Sequence, residues 1–289
     1  MKKNAAWFHT FVILSVIFVA FYQIAQVKAQ SIVYIRADGT VEGTGKIQKG
    51  GDVYKLTDTV YASLVIQKSN IVVDGAGHKL QGTGTETGID LTNGRGQDPS
   101  RPRIENVTVK NMEITNFFTG INLVNSNNIS IIGNYISDFE REGIIMGGGD
   151  FLIKHNTIEN LLGAVQGSIA LYFAHSGERI ITENNFINPA IMFYLSSDTT
   201  FDRNYWKGYN VPDEDRDGVG DIPYTVFERD NVKLVDEHPL KSPVEISVIP
   251  EFSTEIILPI IVCSVLFAVV CKKHLEKNDF LKSRSSKNG

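Results

Sequence analysis

The sequence predicts an all-β chain: a parallel β-helix, or solenoid, of about six turns, with a signal segment before it and a transmembrane helix after it. Three observations carry this. Six short segments repeat through the middle of the chain. They mostly alternate apolar with polar residues, the period of a strand that buries one face. An apolar run with basic neighbours stands near each end.

Met1-Lys2-Lys3 is basic, and Phe11 to Ala20 is almost wholly apolar. Val27-Lys28-Ala29 then places small residues at the two positions that signal peptidase reads. Residues 1–29 are therefore expected to be a secretory signal cut after Ala29. Residues 30–69 are expected to form a β-rich cap, because the end of a stack exposes an open strand edge.

The repeats occupy residues 70–206. They are "NIVVDGAGHKL" from Asn70, "NVTVKNMEI" from Asn106, "NISIIGNYI" from Asn128, "DFLIKHNTI" from Asp150, "ERIITENNF" from Glu178 and "DTTFDRNYW" from Asp198. The starts at Asn106, Asn128 and Asp150 lie 22 residues apart; the next steps are 28 and 20. Counting each start as zero, positions 1 and 3 are apolar in the regular repeats, as in Val107/Val109 and Ile129/Ile131. Position 8 is Ile114, Ile136, Ile158, Phe186 and Trp206. A helical solenoid would need apolar residues three and four apart instead. Laps of about 22 residues that stack at ~4.8 Å bring like side chains above one another. Asn134, Asn156, Asn184 and Asn204 at position 6 should then form an amide ladder, at a corner where asparagine tolerates left-handed backbone angles. Arg179 and Thr199 stand at the normally apolar position 1, so the last laps are expected to distort or open. Residues 92–105 and the stretch "LLGAVQGSIALYF" after Asn160 read as insertions that leave on one flank.

Residues 207–243, rich in Pro, Asp and Gly, are expected to form the C-terminal cap, and 244–251 a linker. Residues 252–271, "FSTEIILPIIVCSVLFAVVC", would span ~30 Å as a helix, about one bilayer core. The tail 272–289 is basic and should stay cytoplasmic. The expected location is the cell membrane, single-pass, with the body outside. Cys263 and Cys271 fall in or at the edge of the apolar stretch, so the exported body has no disulfide framework. A net charge of -5 excludes a dedicated nucleic-acid binder.

"NIVVDGAGHKLQGTG", the recurring "NxSIxGNxI" and "RNYWKGY…DRDGVGDIPYTV" give the chain, over about residues 60–240, a resemblance to a known group. It resembles secreted right-handed parallel β-helix proteins: the carbohydrate-binding proteins and sugar hydrolases, and the NosD-like proteins named for copper-enzyme maturation. The closing segment looks like that of archaeal surface proteins, and "IPEFSTEIILP" is similar to their PEF-type membrane anchors. The resemblance implies a right-handed coil. This fold carries lyases, hydrolases, epimerases and inert binders alike, so it implies no single activity.

"DEDRDGVGD" crowds five acids into nine positions. Asp213, Asp215, Asp217, Val219 and Asp221 match positions 1, 3, 5, 7 and 9 of a calcium loop, with Gly218 at the sharp turn. The closing glutamate is missing; Tyr224 and Thr225 stand there, and Glu228 is the nearest acid. Calcium of modest affinity is the expected cofactor, pinning the C-terminal cap to the last lap. The competing reading is a solvated acidic turn without an ion.

Three function classes follow. The first is a non-catalytic surface protein that binds a polysaccharide or envelope glycan, using rings such as Phe117, Phe118, Phe139, Tyr172, Phe173 and Tyr194, of which more than half are expected in the core. The second is an enzyme on acidic glycans. Its machinery would be Asp138 and Glu140 as paired carboxylates, with Lys154 and His155 nearby on the stack. A solvated, salt-bridged bend explains these residues better, and the hydrolase signatures are missing. The third is copper handling, which needs clustered Met, His or Cys at ligand spacing; Met112, Met146 and Met192 and the histidines show none. The sequons Asn106-Val-Thr108 and Asn128-Ile-Ser130 are glycosylation candidates, or their asparagines stack on each other.

Overall fold

The computed structural model describes residues 31–246, except 97, 160–167, 175–176, 188–190, 195–197 and 230–231. The expected signal segment, transmembrane helix and basic tail lie outside the described residues. Among the described residues no helix is long and apolar enough to cross a membrane.

The chain winds through three walls of parallel strands. The first wall stacks Val53–Leu56, Ile71–Asp74, Glu105–Lys110, Asn127–Ile132, Phe151–Lys154, Arg179–Thr182, Thr199–Asp202 and Val232–Asp236. The second runs from Lys79–Gln81 through the starts of Glu113–Val124 and Tyr135–Gly147 to Thr157–Glu159, Asn185–Ile187 and Tyr205–Trp206. The third begins at Ile32–Ile35 and Ser63–Ile66 and ends at Ile169–Ala174 and Ile191–Tyr194. Positions 1 and 3 point inward as expected: Val107, Val109, Ile129, Ile131 and Ile153 are at most 1% exposed. Register repeats from lap to lap, for example Ile71, Val107, Ile129 and Phe151 in one column.

The first wall holds more strands than about six laps supply, because the expected N-terminal cap coils as well. Ile32–Ile35 pairs in parallel with Ser63–Ile66, and Val53–Leu56 with Ile71–Asp74. Capping is left to antiparallel edges: Ile47–Gly50 on Val53–Leu56 at one end, Tyr224–Arg229 on Val232–Asp236 at the other. The apparent insertion after Asn160 also holds a wall strand. Ile169–Ala174 pairs with Glu142–Gly147 in register. The last laps do not open at position 1, since Phe151, Arg179 and Thr199 stay paired. Arg179 is fully buried. Burial lowers its pKa, against the opposing fields of Asp150 and Asp198.

Walls two and three meet at a tight bend, which a column of glycines permits. A Cβ on Gly88 would lie 2.5 Å from the Gly120 carbonyl, and one on Gly120 would lie 2.5 Å from the Gly143 carbonyl. Both are well inside contact distance, so the laps could not approach with side chains there.

Candidate functional site

The four position-6 asparagines are fully buried and bond in one direction. The backbone N and Nδ2 of Asn134 both donate to Asn156 Oδ1, at 2.9 and 3.0 Å. Asn156 does the same to Asn184, and Asn184 to Asn204. Each Nδ2 also donates to the carbonyl of position 3 one lap before, as Asn156 does to Ile131. At the N-terminal end Met112 N donates to Asn134 Oδ1. Left-handed angles fall one residue earlier than expected, at Asn111, Gly133, His155, Glu183 and Arg203. That single turn residue swings the next side chain inward.

The ladder ends on a carboxylate. Asp236, fully buried, accepts from Asn204 N (2.9 Å), Asn204 Nδ2 (3.1 Å) and Trp206 Nε1 (2.9 Å) through one oxygen. Trp206 stacks between Phe186 and Tyr224, at 4.5 and 4.4 Å. The C-terminal hairpin thus continues both the amide column and the apolar column. Sequence reasoning missed Asp236. The available signal was an aspartate at an inward place in the alternation Val232, Leu234, Asp236.

The acidic loop lies in this cap. Asp213, Asp215 and Asp217 each offer a carboxylate oxygen, and these lie within 4.8 Å of one another. Asp221 is not in that group; its Oδ2 accepts from Glu214 N at 2.8 Å. Val219 bridges Leu240 antiparallel, and Gly220 N donates to Pro239 O, so the loop is tied to residues 239–241. The loop turns through positive φ at Arg216 and Gly218. Three converging hard oxygens suit calcium, and their mutual repulsion falls when a cation sits among them.

The enzyme candidates are split between two corners. Asp138 sits on the bend between walls two and three and accepts from Thr115 Oγ1 at 3.1 Å. Glu140 is exposed on the same bend, where one extra residue bulges the strand: Phe117 pairs with Phe139 but Thr119 with Glu142. Buried Glu142 accepts from Thr119 Oγ1 at 2.7 Å and meets Arg141 at 2.8 Å. Lys154 and His155 lie at the other corner, between walls one and two, and both engage Glu183, at 2.9 and 2.7 Å. The Lys154 hydrogen bond, aided by the charges of Lys154, His155 and Arg203, holds the Glu183 carboxyl below its ordinary pKa. Among the described residues no hydrogen bond or ion pair joins the two groups. Of the candidate rings, Phe117, Phe139 and Phe173 are core, Tyr172 is half-buried and Phe118 is 37% exposed. The side chain of Tyr194 lies outside the described residues. The Arg141 guanidinium stands 5.9 Å from the centroid of the Phe118 ring.

Asn106 and Asn128 also stack. Asn128 Nδ2 donates to Asn106 Oδ1 and Asn106 Nδ2 to Asn70 Oδ1, both at 2.7 Å. All three are exposed and have positive φ.

The family model for the right-handed beta helix region matches residues 56–208, just over half of the chain. The chain belongs to the right-handed β-helix family. Neither the curated proteins nor the solved structures gave a match. Membership accounts for the coil and leaves the activity of this β-helix to its own side chains.

Proposed function

We propose that this β-helix is a cell-surface protein, anchored through residues 252–271, that binds a polysaccharide or envelope glycan without catalysis. One observation carries the reading: beside the bulge stands an exposed ring, Phe118, with the Arg141 guanidinium 5.9 Å from its centroid, while the acid and base candidates stand at separate corners. A flat ring beside charged groups suits the C–H face and hydroxyls of a sugar. The test is a glycan array probed with the full chain in detergent. Binding that Phe118→Ala abolishes and Asp138→Asn retains is the expected result. Turnover of polygalacturonate or alginate that Asp138→Asn destroys would overturn it in favour of an enzyme.

Calcium in the acidic loop would hold the C-terminal cap, with Asp213, Asp215 and Asp217 as ligands and the Val219 carbonyl and Asp221 completing the set. Without the closing glutamate, affinity in the ~10⁻⁴ to 10⁻³ M range of extracellular sites is expected. Calorimetric titration that gives no heat at millimolar calcium, with no rise in melting temperature, would remove the ion from this account.

A further inference from the structure

Residues 244–251, expected as a linker, begin on the outer face of the second wall. Asn185 points outward there, since its neighbour Phe186 lies inside the coil, yet Asn185 is only 4% exposed. Val244 lies on it. Val244 N donates to Asn185 Oδ1 at 2.8 Å, and Asn185 Nδ2 donates to Val244 O at 2.9 Å. One side-chain amide thus holds the Val244 backbone through both its groups, as a paired strand would. Asn185 Nδ2 also donates to Thr157 Oγ1 at 3.1 Å, so the clamp leans toward the preceding lap. The path of the chain gives a direction. Leu240 bridges Tyr205 in parallel and its N donates to Asn204 O at 2.9 Å, while Asn185 pairs with Tyr205 from the other side. From Leu240 to Val244 the chain therefore runs back across two laps, about 10 Å at ~4.8 Å per lap. Val244 and Ile246 are half-buried with exposed Glu245 between them, the alternation of an extended segment with one side on a support. Ser247 and Val248 continue that alternation in the sequence. The face ahead is level. Tyr135 Oη donates to Glu159 at 2.6 Å, Lys79 pairs with Glu113 at 2.6 Å and Ser137 Oγ donates to Thr115 Oγ1 at 3.1 Å, so these side chains are tied along the sheet rather than standing out from it.

We propose that residues 244–250 form an extended strap down the outer face of the second wall, against the stacking direction, with residues 247–250 of this chain as the occupant of the face over Thr157, Ser137 and Thr115. The occupant follows from where the described chain stops: Ile246 comes two residues after the clamp, and the chain is already heading along the wall. At ~3.3 Å per extended residue Val248 falls ~13 Å past Val244, two to three laps on, which is the level of Ser137 and Thr115. Thr157, Ser137 and Thr115 are short side chains with hydroxyls, so they leave room for a backbone and offer partners to its N–H and C=O groups. The strap buries the row Val244, Ile246 and Val248 and leaves Glu245 in water. It also shields the peptide bond after Glu245, where a protease would otherwise separate the coil from the residues that follow. None of this rests on the proposed anchoring or on glycan binding.

The experiment uses the full chain in detergent, with Cys263→Ser and Cys271→Ser as background. Val248→Cys combined with Ser137→Cys is expected to be joined within one chain by a short bismaleimide, as read by peptide mass. Val248→Cys combined with Ser130→Cys, which lies on the first wall in the same lap as Ser137, is not. Asn185→Ala, with an unchanged circular dichroism spectrum, removes both bonds to Val244 and should speed cleavage after Glu245 by a glutamate-specific protease about tenfold or more. No linkage between positions 248 and 137, equal linkage to 130, or a cleavage rate that Asn185→Ala leaves unchanged would each overturn the proposal. Linkage between two chains, in a mixture of the Val248→Cys and Ser137→Cys single variants, would assign the face to a second copy and overturn it as well. Glycan binding enters none of these readouts, so the two readings fail separately.

Discussion

Replacing Asp236 with alanine removes the acceptor that closes the asparagine ladder. Three N–H groups point at one of its oxygens: Asn204 N, Asn204 Nδ2 and Trp206 Nε1. Asn204 Nδ2 still donates to Ile181 O and Asp202 O. Two donors are therefore orphaned outright, and each costs about 1–3 kcal/mol when buried. The expected loss is about 2–6 kcal/mol. Asp236→Asn keeps an acceptor oxygen in place and loses only the help of the charge, about 1–2 kcal/mol. In a solenoid each lap contacts only its neighbours, so the loss should stay at the C-terminal end. Native-state hydrogen exchange on the full chain measures this. Amides of residues 182–206 should exchange roughly 30- to 10⁴-fold faster in Asp236→Ala, since a tenfold change is about 1.4 kcal/mol. Residues 107–131 should hardly change. Equal effects of Ala and Asn, or equal acceleration at both ends, would refute the account of the carboxylate as terminator.

The same logic orders other substitutions. Asn156→Ala orphans the backbone N of Asn134, whose Nδ2 still donates to Val109 O and Ile132 O, and should cost about 1–3 kcal/mol, whereas Asn128→Ala, in the exposed ladder, should cost under ~0.5 kcal/mol; urea melts of the two variants give the comparison. Gly120→Ala drives a methyl to 2.5 Å from the Gly143 carbonyl and should cost at least about 1–3 kcal/mol, while Gly45→Ala, with open space around it, should be within ~1 kcal/mol of neutral or better. Burial works to raise the pKa of the Glu86 carboxyl, but hydrogen bonds from Thr83 and Thr85 outweigh it and hold the value below the ordinary one. A depressed folded-state pKa gives stability that is present above the unfolded value of about 4.3 and is lost as pH falls through the folded value. The stability gap between wild type and Glu86→Gln should therefore narrow as pH drops below about 4.3; a gap that stays constant down to acid unfolding would contradict it. If Asn106 and Asn128 are glycan acceptors, laps ~4.8 Å apart leave room for one chain and not two, and intact mass would show at most a single glycan.

Much of the coil was legible because its signals are local. Alternation at Asn106, Asn128 and Asp150 sets which residues face inward, and a constant step sets the lap. The asparagine column followed from that numbering and bonds as the stacking requires. What escaped was long-range or irregular. The strands at Ile32–Ile35 and Val53–Leu56 lack the asparagine and the 22-residue step, so nothing in their own residues placed them in the walls. Ile169–Ala174 looked like part of an insertion, because the two laps before it run walls two and three together as the single long strands Glu113–Val124 and Tyr135–Gly147, while its own lap separates them. In the acidic loop the carboxylates of Asp213, Asp215 and Asp217 converge because a tight loop is a local object, while Asp221 turns to Glu214 N. Spacing could not tell that Lys154 and His155 turn to Glu183, 29 and 28 residues on.

By itself the sequence determined the lap, its buried face and the column of amides, because each depends on residues a few positions apart. Only the tertiary structure decided where the stack ends and what ends it. Asp236 meets Asn204 across 32 residues of intervening chain, and that meeting depends on how the cap folds back, which no short-range pattern encodes.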